Sequence, residues 1–551
     1  MRRMILPLAL AATAALGLVS VQSLAKPAAA PAGPPRLIVA ISVDQFSSDL
    51  YAQYRPTYRY GLARLGQGAV FPAGYQSHAA TETCPGHSTL LTGTRPARNG
   101  IVANTWFEPD SPRGSKPIYC AEDERDPASS ARNPVVSAYH LKVPTLGEYM
   151  KAANPASRNV AVSAKDRSVM MMGGKNIDAG YWWKGSSFVT LGGRTLSPAA
   201  VRQNMAVSAL LKKGAKGFAI PANCSATNLE IPVGKGSAGN GTFVLEPGKA
   251  DAFRASPRMD GATVDLATAL VDEMKLGQGP APDVLSVSLS ATDYVGHATG
   301  TAGLEMCIQM GQLDQNIGRL LAHLDKRRID YAVVLTADHG GLDMPERLDQ
   351  QAYPRASRVD DSLSPQVLSK AVSAKTGLQV MDSPLVFGEG GDFYINRALK
   401  PAERARAAEA LLAIVRDNRQ VAAAYSSQEL GKTPLPSGSP EMWSLKERAR
   451  ASWDPVRSGD VVVMLDRGIT PIPEPMIGAY IATHGSPWDY DRRVPMLFWR
   501  KGMTNFEQPH PVETIDIAPT LAAILGLKVP DGAFDGRCLD LDGGAGNTCG
   551  G

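Results

Sequence analysis

Cysteine is scarce in this 551-residue chain: Cys84, Cys120, Cys224, Cys307, Cys538 and Cys549 are all there are, and none forms a Cys-x-x-Cys pair. That usage excludes a small disulfide scaffold and disfavours thiolate zinc sites. An excess of either charge is also missing, with 57 Lys+Arg against 53 Asp+Glu and a net +4, which argues against a strongly basic nucleic-acid binder. Aromatics make up 6% and charged residues 20%, but 44% of the chain is apolar, so it is neither disordered nor collagenous. After residue 25 no apolar run is long enough to cross a bilayer, and no His-Glu-x-x-His motif of a metalloprotease occurs.

The first 25 residues read as a targeting segment. Arg2 and Arg3 precede an apolar stretch over 5–21, and Ser23-Leu24-Ala25 has the small-x-small form of a signal-peptidase site. No cysteine follows it to carry a lipid. Removing Arg2 and Arg3 takes the charge from +4 to +2, so the expectation is a nearly neutral exported protein, periplasmic or secreted, with no membrane anchor. In an oxidising compartment some cysteines should pair. Cys538 with Cys549, flanking a Gly-rich tail, is the first candidate and Cys84 with Cys120 the second. Cys307 sits in an amphipathic pattern and reads as an ordinary buried thiol.

Beyond a Pro/Ala linker at 26–35, short apolar runs end in polar residues: 37–43 before Asp44, 159–164 before Lys165, 284–289 before Asp293 and 331–336 before Asp338. Continuous apolar strands suit a parallel sheet covered on both faces. Helical patterns lie between them at 145–153, 304–324 and 513–527, and the alternation gives an α/β fold with a mostly parallel central sheet sandwiched by helices. The expected organisation is one catalytic domain over 36–551, with capping insertions at about 168–280 and 341–480. The second of these carries a charged helix pattern at 401–418.

Acids and histidines concentrate at the strand ends, where open α/β sheets hold their ligands. Asp44, Asp293 and Asp338 follow apolar runs; His297 is four residues beyond Asp293, His339 adjoins Asp338, and His484 lies in Thr483-His484-Gly485. With only eight histidines in the chain, two beside strand-end acids make a pattern. On a helical turn, Asp-x-x-x-His puts both side chains on one face. Mixed Asp/His sets without thiolates suit zinc or another divalent ion, and six such ligands can hold two ions.

A second signal is Ala80-Thr81-Glu82-Thr83-Cys84-Pro85-Gly86-His87. Pro85 suits the first turn of a helix that Gly93 would end. Thr83 then lies at the helix N-terminus, where amide donors favour an anion and a hydroxyl could serve as nucleophile. Thr81 is its rival, and His87, inside the helix, reads as structural.

In this order Asp44, the Thr83–His87 stretch, Asp293/His297, Ala337-Asp338-His339-Gly340 and Thr483-His484-Gly485 resemble the alkaline phosphatase superfamily. Within it they resemble the branch of type I phosphodiesterases, nucleotide pyrophosphatases and monomeric threonine-nucleophile alkaline phosphatases. The resemblance implies two Zn²⁺: one on Asp293, His297 and His484, the other on Asp44, Asp338 and His339, with Thr83 beside the second. It implies a monomer acting on small phosphate esters, with no nucleic-acid partner.

Lys165 and Arg167 match the Lys-x-Arg pair that holds phosphate oxygens in the threonine-type phosphatases, and Asn104 matches their phosphate-binding Asn. Two zinc ions and three aspartates would leave the core near +1, and ionised Thr83 would bring it to zero. A monoester dianion would then be offset by Lys165 and Arg167, whereas a diester monoanion would leave charge uncompensated. The expected activity is an alkaline phosphatase hydrolysing phosphate monoesters through a phosphothreonine. The alternative, a phosphodiesterase or nucleotide pyrophosphatase on the same metals, would need an aromatic base pocket from Trp106, Phe107, Trp182, Trp183 or Tyr490. A metal-stabilised, non-catalytic binding protein would need neither Thr83 nor the Lys165/Arg167 pair.

Overall fold

A computed structural model describes residues 33–111, 113, 116–353 and 355–550. The targeting segment at 1–25 and linker residues 26–32 lie outside the described residues. Among those described, no helix is long and apolar enough to cross a membrane.

The central sheet is built on β1 (Leu37–Val43), β2 (Ala69–Tyr75), β3 (Asn159–Ser163), β4 (Ala179–Lys184), β5 (Ser187–Thr190), β6 (Asp283–Leu289), β7 (Tyr331–Thr336) and β8 (Arg493–Arg500), with the short Phe506–Glu507 and Val512–Glu513 on the β2 edge. Its spatial order from that edge is β2-β8-β7-β1-β6-β3-β4-β5. The centre, from β7 to β4, is parallel, and β8 and β5 join antiparallel.

Every residue of β1 is buried because both faces are covered. Leu37, Val39, Ile41 and Val43 enter a core with the helices Pro257–Met274 and Leu304–Lys326. Ile38 and Ala40 point the other way, onto Leu90, Leu91, Leu146 and Leu521. A strand buried on both sides has no polar alternation to display, so the sequence reads as an unbroken apolar run.

Register turns these strands into a site. Ser42 lies opposite Ser288 and Thr336, and Ser288 opposite Ser163. Two residues further along their strands, Asp44, Asp338 and Lys165 leave the same sheet edge together.

The region at 168–280 is not purely a cap: β4 and β5 extend the central sheet, and the helices Pro198–Lys213 and Pro257–Met274 pack on it. The region at 341–480 holds a separate four-stranded antiparallel sheet, ordered Val386–Glu389, Asp392–Ile395, Val461–Leu465, Val421–Ser426, with its own core beneath the helices Pro365–Thr376 and Pro401–Arg416.

Cysteines pair as Cys538–Cys549 and Cys84–Cys120, and also as Cys224–Cys307. The last corrects the reading of Cys307 as a free thiol. Its apolar helical face was visible in sequence; its partner, 83 residues away in the short 3₁₀ helix Ala222–Thr227, was not.

Just past β2, His78 is fully buried, and neither ring nitrogen has a well-formed hydrogen-bond partner among the described residues. Burial first, then Arg492, pushes its pKa from 6.5 down to about 3. The native state therefore keeps His78 neutral, while the unfolded chain takes up a proton below its ordinary pKa. Stability from this residue is complete above about pH 6.5 and falls by up to ~1.4 kcal/mol per unit as pH drops towards 3. Between pH 7.5 and 5.0 the wild type should lose ~2 kcal/mol more than His78→Phe in denaturant titrations. Parallel losses would show that His78 does not titrate with unfolding.

Candidate active site

Thr83 opens the helix α1 (Thr83–Thr92), which follows Glu82 in extended conformation and ends at Gly93 with φ 63°. Every residue of α1 is buried. Gly86 is required by a close approach: a Cβ there would stand 2.0 Å from the Asp338 carbonyl oxygen. The helix is thereby seated directly on the end of β7.

Two structures fix Thr83 and its surroundings. The Cys84–Cys120 disulfide ties α1 to the Thr105–Trp106/Ile118–Tyr119 hairpin. The Cys84 amide also donates to Asn104 Oδ1 at 2.8 Å, an arrangement that turns the Asn104 NH₂ away from this bond and leaves it available as a donor. Glu82 completes the clamp by accepting from the Asn104 amide at 2.7 Å; burial pushes its pKa up to about 7.

Lys165 and Arg167 flank the hydroxyl. Lys165 Nζ and Arg167 Nη2 each lie 3.4 Å from Thr83 Oγ1. Arg167 is on the first turn of α2 (Asp166–Gly173), where Asp166 accepts from the Tyr119 hydroxyl at 2.6 Å. Lys165 Nζ also reaches Asp44 Oδ2 at 2.7 Å and Asp293 Oδ2 at 2.5 Å. Burial would lower the Lys165 pKa, but Asp293 and Asp44 outweigh it and hold the ammonium above its ordinary value.

Asp293 and His297 fall on one face of α3 (Ala291–Thr299). His297 Nε2 is 3.2 Å and His484 Nε2 3.4 Å from Asp293 Oδ1. His339 Nε2 is 3.5 Å from Asp44 Oδ1 and 3.4 Å from Asp338 Oδ2. The His339 and His484 rings stack at 3.6 Å, joining the two groups.

The histidine tautomers follow from their partners. His297 Nδ1 faces the Ala482 carbonyl at 2.8 Å, His339 Nδ1 that of Gly340 at 2.9 Å, and His484 Nδ1 that of Thr81 at 2.8 Å. A carbonyl only accepts, so each Nδ1 carries the proton and each Nε2 presents a lone pair. Burial lowers the pKa of His339 to about 3 and that of His484 below its ordinary value, keeping both neutral.

These lone pairs point at carboxylate oxygens that also lack donors. Among the described residues, Asp44 Oδ1, Asp293 Oδ1 and His339 Nε2 are buried without a hydrogen-bond partner, and Asp338 Oδ2 has the His87 ring beside it at 3.0 Å. Asp338 Oδ1, by contrast, accepts from the Gln45 and His339 amides, which orients the other oxygen inwards. Burial would raise Asp338, but His339 and His87 hold its carboxyl well below the usual range. Burial, Asp293 and Asp338 push Asp44 up, and Lys165 reverses only part of that. Converging acceptors short of positive charge fit divalent cations. Two ligand groups close to coordination size: Asp44, Asp338, His339, and Asp293, His339, His484. In the second, His339 is grouped with Asp293 and His484, and His297 Nε2 stands beside the same Asp293 oxygen at 3.2 Å.

Thr81 is occupied elsewhere, its hydroxyl donating to the Ser486 carbonyl at 2.8 Å. His87 bridges α1 to the sheet: Nδ1 lies 2.9 Å from the Thr83 carbonyl and 3.0 Å from Asp338 Oδ2, and Nε2 lies 3.0 Å from Ser288 Oγ. Sequence reasoning passed over Glu82, Gln45 and Tyr119. Only Glu82 had a local signal, as the acid before the threonine.

Residues 38–487 match the family described as type I phosphodiesterase / nucleotide pyrophosphatase. The chain is 50% identical to the alkaline phosphatase PhoK of a Sphingomonas species, over 94% of this chain and 93% of that protein. It is 47% identical to the alkaline phosphatase PhoD of Zymomonas mobilis, over 93% and 89% respectively. Its fold is similar to that of wild-type alkaline phosphatase PafA, with a TM-score of 0.77 at 23% identity, covering 92% of this chain and 99% of that one.

Proposed function

The chain belongs to the type I phosphodiesterase / nucleotide pyrophosphatase family, and from that premise we propose that it is an exported alkaline phosphatase that cleaves phosphate monoesters through a phosphothreonine. The observation that carries this reading is the pair of cations, Lys165 and Arg167, each 3.4 Å from Thr83 Oγ1. A phosphoryl group arriving at that oxygen meets two positive charges and the Asn104 amide.

Asp293, His297 and His484 would hold one Zn²⁺, and Asp44, Asp338 and His339, with Thr83 alongside, a second. When bound, the ions supply Lewis acidity that makes the Thr83 hydroxyl acidic and stabilises the leaving oxygen. Thr83 Oγ1 loses its proton and bonds to phosphorus as the bond to the ester oxygen breaks, releasing the alcohol. Lys165, Arg167 and Asn104 hold the non-bridging oxygens through both steps, where fixed charge supplies most of the acceleration. Water then attacks phosphorus, Thr83 regains its proton, and inorganic phosphate leaves.

Support against the diester reading comes from the aromatics. Trp106, Trp182 and Trp183 are core residues; Trp183 packs between Phe188 and Phe253, and Trp106 lies against His140 and Arg457. Phe107 is engaged by Phe387 and Tyr394, and the Tyr490 hydroxyl by the Gly468 amide. The three tryptophans are therefore withdrawn from any nucleobase, and Phe107 and Tyr490 are half-buried against these partners. The test is turnover of 4-nitrophenyl phosphate against bis(4-nitrophenyl) phosphate by the zinc-loaded protein at pH 7 to 10. The monoester should be preferred by at least ~10²-fold in kcat/KM. A preference for the diester would overturn the reading.

A further inference from the structure

Three of the four polar groups of Asn104 are already engaged. Its backbone N–H donates to Glu82 Oε2 at 2.7 Å, its carbonyl accepts from the Cys120 amide at 3.0 Å, and its Oδ1 accepts from the Cys84 amide at 2.8 Å. That leaves the Nδ2 group, whose two donors none of these contacts uses. Two of the three grips come from the sequence neighbours of Thr83, with Glu82 before it and Cys84 after it.

The arrangement is reciprocal. Glu82 is the N-cap residue of α1, yet its side chain makes no capping bond to its own helix. An acid at that position ordinarily accepts from the first-turn amides. Here the first-turn amide of Cys84 is capped by Asn104, 20 residues further along the chain, and Glu82 reaches back to the backbone amide of that same asparagine. The exchange is that of a capping box, with the capping residue supplied by a distant loop. The Cys84–Cys120 disulfide closes the same loop, and Cys120 is the residue whose amide holds the Asn104 carbonyl.

We infer that Glu82 is a positioning residue for phosphoryl transfer: by holding the Asn104 backbone it aims the Asn104 NH₂ at the phosphoryl group on Thr83. This role rests on the phosphatase reading and deepens it. A donor fixed before the substrate arrives needs no reorganisation on the way to the transition state. Without Glu82 Oε2 the Asn104 amide loses its acceptor, the loop is held by fewer bonds and Nδ2 loses its aim. What Glu82 supplies is an oxygen, so an uncharged amide oxygen in the same place should serve nearly as well. An action through charge would look different, because Gln and Ala would then behave alike.

A double-mutant cycle on 4-nitrophenyl phosphate hydrolysis by the zinc-loaded protein tests this. Glu82→Ala should lower kcat/KM by ~10-fold or more, and Glu82→Gln should stay within ~3-fold of wild type. Glu82→Met, which keeps the length of the side chain without an acceptor, should match Glu82→Ala and controls for lost packing. Adding Glu82→Ala to Asn104→Ala should change kcat/KM by less than ~2-fold, since both act on one donor. Equal effects of Gln and Met, or additive losses in the double variant, would overturn the inference. Hydrogen exchange read by mass spectrometry on peptides spanning 100–110 should speed up in Glu82→Met and not in Glu82→Gln, and unchanged exchange would overturn it equally. No phosphate released from any ester by the wild type would instead overturn the phosphatase reading, and the exchange rates would then still decide whether Glu82 fixes Asn104.

Discussion

Replacing Thr83 by alanine should lower kcat for monoester hydrolysis by at least ~10³-fold, because the covalent route disappears and only direct attack by water in the same pocket remains. Thr83→Ser should keep most of the activity, as it preserves an oxygen at the same place. The two substitutions separate chemistry from folding. Thr83 supplies no capping hydrogen bond to α1, whose N-cap residue is Glu82, and its backbone carbonyl contact to His87 survives either change. The Thr83→Ala protein should therefore unfold within ~1 kcal/mol of wild type. Acid quenching of the wild type during turnover of a ³²P-labelled ester should trap label on the chain, and none should be trapped on Thr83→Ala. Full turnover by that variant would remove the covalent step.

That expectation depends on the hydroxyl standing beside cations and orphaned acceptors, and much of this was readable beforehand. β1 and β7 coincide with apolar runs read from sequence, since strands buried on both faces have only one way to be written. The strand-end acids were legible for the same reason: a run that stops at Asp44 or Asp338 stops where the sheet does. Convergence on one crevice was expected from the strand-end placement, but its geometric basis was not legible. It depends on Ser42 lying opposite Ser288 and Thr336, a register fixed by tertiary packing. The sheet membership of Ala179–Lys184 and Ser187–Thr190 was hidden by their aromatic, Gly-flanked composition, which suits a cap or an edge equally well. The Glu82–Asn104 clamp joins residues 22 apart through a backbone amide, a partnership that side-chain identity does not announce. His297 and His484 both meet Asp293 Oδ1, and the stacked His339 and His484 rings join that group to the other, a proximity that sequence spacing does not announce.

The Lys165→Ala, Arg167→Ala double variant should separate the two ester classes more sharply than any other change. A monoester dianion presents non-bridging oxygens with two negative charges, and charge-assisted hydrogen bonds of ~1.5–3 kcal/mol each would be lost. Together that predicts a fall of ~10²- to 10⁴-fold in kcat/KM for 4-nitrophenyl phosphate. A diester monoanion has half the charge and an extra substituent where these side chains reach, so its kcat/KM should fall ~10-fold or less. Lys165 also lies against Asp44 and Asp293, so its removal makes the carboxylate cluster more negative and should not weaken divalent-cation binding. Zinc content measured on the purified variant checks this directly. Loss of metal would depress both ester classes alike, whereas loss of phosphate contacts depresses one. An equal fall for both substrates with zinc retained would mean that Lys165 and Arg167 do not read the second charge, and that the preference for monoesters has another origin.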